Sequence, residues 1–135
     1  MTNHRQLLEL AALAAGLESR GSFEHSDCHG IYIVHPTLGD DAGAYVKWRP
    51  LHDDGDALRL AVTLRLDISP QPDGKVEVSN QWDRPEELRW AWEAYGDDAQ
   101  AATRRAIVRA ASEIGKGMRG LTTFTKSKTC HTPGQ

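Results

Sequence analysis

A chain of 135 residues, 39% hydrophobic and 26% charged, has the size and composition of one globular core, and most of its length is too apolar to stay disordered. Its 19 acidic residues outnumber 16 basic ones for a net charge of −3, which leaves no room for the broad basic footprint that duplex nucleic acid requires. Cys28 and Cys130 lie near opposite ends and cannot supply the dense disulfide framework of small secreted domains, so reduced thiols are expected.

Met1 to Arg5 runs directly into an amphipathic segment, without the apolar stretch of a signal peptide or membrane span; a cytoplasmic location is expected. Leu7, Leu10, Ala11, Ala14 and Leu17 recur at intervals of three and four, predicting a helix that Thr2 or Asn3 can cap. Gly16 and Gly21 weaken that pattern, and the polar run Ser22 to His29 reads as a loop. Ile31 to Val34 is a β-branched strand ended by Pro36, and Ala44 to Trp48 a second, with the turn residues 39–43 between them.

Asp53, Asp54 and Asp56 precede an apolar run from Ala57 to Leu64, the pattern of a helix whose first amides are capped by a carboxylate. Its inner stripe is expected to be Leu58, Ala61 and Val62. Leu66 and Ile68 then alternate with polar neighbours as a strand, residues 70–74 make a turn, and Lys75 to Val78 makes its hairpin partner. After a break at 83–85, Leu88, Trp90 and Trp92 alternate with Arg89, Ala91 and Glu93 at the period of a half-buried strand. Gly96-Asp97-Asp98 opens the longest helix, whose stripe is Ile107, Ala110, Ala111, Ile114 and Met118, with Gly115, Gly117 and Gly120 loosening its end. Residues 1–120 then form a single domain, and 121–135 a mobile or partner-docked tail. This order suits a largely antiparallel sheet covered by helices.

Two segments resemble the phage ABA-sandwich family: 48–61, from Trp48-Arg49-Pro50-Leu51 to Leu60-Ala61, and Tyr95-Gly96-Asp97-Asp98 running on through 101–111. With the leading helix the similarity extends to about Met118, although Arg49 and His52 stand where similar sequences carry Asn and a Thr-like residue. The resemblance implies an α/β (α+β) fold, a three-layer α-β-α sandwich of about four to five mainly antiparallel strands and about three helices. It also implies a phage origin, hence the cytoplasm of a host cell, but no activity, because fold alone does not supply chemistry.

No P-loop, dinucleotide fingerprint, nucleophile elbow or zinc-protease motif occurs, so neither a catalytic residue nor a cofactor is expected. The Asp53, Asp54 and Asp56 group lacks the donor set of a calcium loop and is read as a cap. His25 and Cys28 have metal-corner spacing that Cys130 and His131 could complete, but a hundred residues separate the halves and no metal is expected. Trp48, Arg49, Arg104, Arg105 and Arg109 form the candidate ligand site, where a ring stacks on a base and guanidinium groups pair with phosphate. The plainer reading puts the tryptophans in the core and the arginines on a solvated helix face. In size and lack of catalytic motifs the chain also resembles small phage proteins that bind the cyclic nucleotide signals of host defence without turning them over; that resemblance implies a non-enzymatic module, a homo-oligomer, that sequesters a small anionic nucleotide signal of host defence. The alternative is a protein-interaction module that inhibits a host defence complex through an acidic surface or its tail.

Overall fold

In the computed structural model, residues 4–25, 28–34 and 45–131 are described, except for the side chains of 24–25, 28–29 and 120–131. The first helix, α1 (His4–Ala15), buries Leu8, Leu10, Ala11 and Ala12. Its apolar face is thus rotated from the expected one: Leu8 and Ala12 go inside while Leu7 and Ala14 are only half-buried. Gly16, at φ 75°, ends it, and Leu17 N donates to the Ala12 carbonyl at 2.9 Å, the hydrogen bond of a glycine-terminated helix. The capping residues Thr2 and Asn3 lie outside the described residues.

Within the polar run after it, residues 22–25 and 28–29 are strand rather than loop. Strand β1 (Ser19–His25) pairs antiparallel with β2 (Cys28–Val34), which pairs with β3 (Tyr45–Trp48). The register shifts between Ser19 and Ser22, where Gly21 takes φ 115°, so a bulge absorbs one residue. Strand formation here depends on the hydrogen-bonding ladder offered by β2, which is indifferent to side-chain polarity; that is why the composition of 22–29 misleads. Ile31 and Ile33 face the core with Trp48, while Phe23, Tyr32 and Lys47 share the other side, the two rings 5.1 Å apart and the Lys47 Nζ 5.2 Å from the Phe23 ring. The expected turn at 39–43 lies outside the described residues.

Helix α2 (Asp54–Leu64) begins as the carboxylate pattern predicts: Asp53 Oδ2 accepts from Asp56 N at 2.8 Å. Removing that cap by Asp53→Ala is expected to cost about 1 kcal/mol, read as a lower urea midpoint with unchanged slope. Asp56 in turn accepts from Arg49 N at 2.9 Å and from Arg59 at 2.7 Å. The buried side of α2 is Ala57, Leu60 and Ala61, which corrects the expected stripe: Leu58 and Val62 are 60% and 67% exposed.

Strands β4 (Asp67–Gln71), β5 (Lys75–Ser79) and β6 (Trp90–Ala94) form a second antiparallel sheet in the order β4-β5-β6. The described strands are therefore split into two three-stranded sheets rather than one of four or five, within an α+β fold of three helices among the described residues. The turn closing β4 on β5 is tighter than expected, confined to 72–74 with Gly74 at φ 88°, so Pro70 is a strand residue.

Helix α3 (Ala99–His131) starts at Asp98, whose Oδ1 accepts from Ala101 N at 3.0 Å, and its helical backbone continues past Gly120, where the sequence predicts loosening. It packs on α1, on α2 and on β5 and β6, while α1 lies against β1 and β2. Ala102, Ala106, Val108, Ala110 and Ala111 are fully buried, whereas Met118 is 39% exposed. Leu8, Ile31, Trp48, Leu60, Val76, Val78 and Ala91 join this helix in one continuous core. No helix among the described residues is long and apolar enough to cross a membrane.

Candidate functional site

The alternation along β6 has the expected period and the opposite orientation. Ala91, 5% exposed, points at α3, whereas Trp90 and Trp92 point outward at 52% and 45% exposure. The close seat of α3 on β6 explains this, because a methyl group fits between packed backbones and an indole does not. Register places Trp90 opposite Ser79 and Trp92 opposite Glu77, so the rings share the outer face with polar partners. Lys75 Nζ lies 5.1 Å from the Trp92 ring centroid and 3.7 Å from Glu77.

The loop between β5 and β6 adds Leu88 and Trp82, at 48% and 78% exposure. Asn80, itself buried, organises that loop: its Oδ1 accepts from Arg89 N at 2.7 Å, its Nδ2 donates to the Glu87 carbonyl at 3.1 Å, and its carbonyl accepts from Arg84 N at 2.9 Å. Three of the four tryptophans are thus exposed to water. Trp82 sits in a polar segment rich in turn formers, a signal legible in the sequence that the strand argument passed over.

The edges of this sheet also differ. Asn80 N donates to the Arg89 carbonyl and Tyr95 N to the Gly74 carbonyl, so the alternation between them turns the backbone groups of Trp90, Trp92 and Ala94 away from β5. The Trp92 carbonyl is taken by Arg109 Nη1 at 2.9 Å. At the opposite edge β4 carries Pro70, which has no N–H to offer.

The residues expected to hold a ligand are dispersed. Trp48 is 5% exposed in the core, and Arg49 is half-buried before α2. Arg104 donates to the Leu51 carbonyl at 3.0 Å and to Asp54 at 2.5 Å, fastening α3 to the start of α2 beside a hollow of about 300 Å³ lined by Leu58, Ile68 and Tyr95. Arg105 and Arg109 are brought together, both on Glu93, with Arg105 Nε at 3.1 Å. His25 and Cys28 are register partners, but their side chains and those of Cys130 and His131 lie outside the described ones. Among the described residues no group of three or more possible metal ligands occurs.

No family model, curated protein sequence or solved structure matches the chain. The site is therefore read from its own chemistry: an outward pair of indoles on one strand, polar groups around them, and arginines already engaged by carboxylates.

Proposed function

We propose that this chain is a non-enzymatic protein-interaction module that meets its partner through the outer face of the β4-β5-β6 sheet. The observation that carries the reading is the exposure of Trp90 and Trp92 on one strand face, followed from the preceding loop by Trp82 and Leu88. Leaving a large apolar side chain in water forgoes on the order of 2 kcal/mol of burial, and tryptophan is enriched among the residues that dominate binding energy. Lys75, Glu77 and Ser79 beside the rings match the polar rim that surrounds an apolar interface centre. The resemblance to phage ABA-sandwich proteins, with their three-layer arrangement, extends the proposal to a phage accessory role in a host cell. A host defence complex is the first partner class to test, and assembly as a homo-oligomer belongs to the same proposal. Sequestration of a small anionic nucleotide by Trp48, Arg49, Arg104, Arg105 and Arg109 is the weaker reading, because Asp54 and Glu93 already answer Arg104, Arg105 and Arg109.

Affinity capture from infected cells, comparing the wild type with Trp90→Ser/Trp92→Ser and with Arg105→Ala, tests it. A partner that the double variant binds at least about tenfold more weakly, and that Arg105→Ala retains, is the expected result. Identical partners for wild type and double variant would remove the sheet face from consideration.

A further inference from the structure

A second cleft, of about 710 Å³, opens between the middle of α3, the ends of α1 and α2, and the loop joining β5 to β6. That volume is within the range of small-molecule sites. Ala14, Leu64, Ile114 and Met118 give it an apolar wall, and Arg89 lines it half-buried.

Arg89 is positioned from two sides. Asn80 holds its backbone, through Arg89 N to Asn80 Oδ1 at 2.7 Å and Asn80 N to the Arg89 carbonyl at 3.1 Å. Its guanidinium rests on α3 where residue 117 is glycine: a Cβ there would meet Nη2 at 2.9 Å, Nε at 3.4 Å and Cζ at 3.5 Å. A glycine inside a helix costs about 1 kcal/mol relative to alanine, so helix propensity is given up at the spot the guanidinium occupies.

Among the described residues around the cleft, Arg84 and Arg65 have carboxylate partners and Arg89 does not. Glu87 faces Arg84 at 3.4 Å and Asp83 faces Arg65 at 3.9 Å. Arg89 has no carboxylate at ion-pair distance among the described residues; its Nη1 donates to the Leu88 carbonyl at 3.0 Å, and α3 lies against the edge formed by its Nε and Nη2. A guanidinium whose charge meets no carboxylate among the described residues is suited to an anionic head group, and the wall beside it to an apolar chain.

We propose that this cleft binds a small amphiphilic carboxylate, with its head group on Arg89 and its chain along Leu64, Ile114 and Met118. The site is separate from the tryptophan face and does not depend on it.

Calorimetric titration with decanoate, methyl decanoate and decyltrimethylammonium tests the assignment on the full chain. Decanoate is expected to bind, and the ester and the cation to bind at least about tenfold more weakly, as loss of a charge-assisted pair requires. Arg89→Met keeps the apolar stem and is expected to weaken decanoate by a similar factor. Gly117→Ala favours the helix yet displaces the guanidinium, so it is expected to weaken decanoate with circular dichroism unchanged, and it decides the matter should Arg89→Met not fold. No binding of decanoate, equal binding of all three probes, or loss confined to Trp90→Ser/Trp92→Ser would overturn the proposal.

Discussion

Replacing Gly115 by alanine is expected to lower stability by about 3 kcal/mol, the upper part of the range for overpacking a tight contact. At this position α3 crosses α1, and a Cβ would run into the Leu10 carbonyl, with the Leu10 carbonyl carbon at 2.8 Å and its Cα at 3.2 Å. Those are backbone atoms in a helix, so relief requires moving α1 away from α3, which opens the core around Leu8, Ala11 and Ala111. Gly117→Ala is the internal control, since two residues further along the same helix the atoms nearest a Cβ are the end of a flexible arginine. That variant gains helix propensity and is expected to be neutral or to stabilise by up to about 1 kcal/mol. Urea denaturation of the two variants gives the comparison, and equal midpoints would show that the α1–α3 contact is looser than the glycine implies.

The tryptophans separate just as sharply. Trp48→Ala empties a buried site between Ile31 and the body of the core, and is expected to cost about 3–5 kcal/mol. Trp90→Ala and Trp92→Ala remove rings that are about half in water, and each is expected to cost less than about 1 kcal/mol of stability. Thermal unfolding of the three single variants checks this ordering. A loss at Trp90 or Trp92 comparable to that at Trp48 would mean that the outer face is structural, and the binding role proposed for it would lose its basis. The expected pattern, large loss of stability from one tryptophan and loss of partner from two others, separates folding from recognition within one residue type.

Gly30 shows the same close-packing logic in the first sheet. A Cβ there would lie 2.5 Å from the Trp48 carbonyl and 2.9 Å from the Phe23 ring, so a strand position that offers no side chain lets an aromatic cover the sheet. The sequence marks Gly30 only as a glycine before a strand, because the reason for it lies on strands β1 and β3.

What the sequence alone determined is the local punctuation: the Asp53 cap, the turn ending at Gly74, the start of α3 at Asp98, the period of two along β6 and the order of most elements. These depend on hydrogen bonds and dihedral preferences within a few residues, which a linear reading contains. Tertiary structure decided which side of each element faces inward. A period separates two faces without saying which meets a neighbour, and here the seat of α3 on β6 selects Ala91 over two indoles, while α2 turns Ala57 and Leu60 inward and leaves Leu58 and Val62 in water. It also decided that a polar run becomes β1, that the strands divide between two sheets, and that Arg104 and Arg105, adjacent in sequence, answer different carboxylates. Each of those outcomes depends on distances between segments far apart in the chain, and close packing, not local preference, sets those distances.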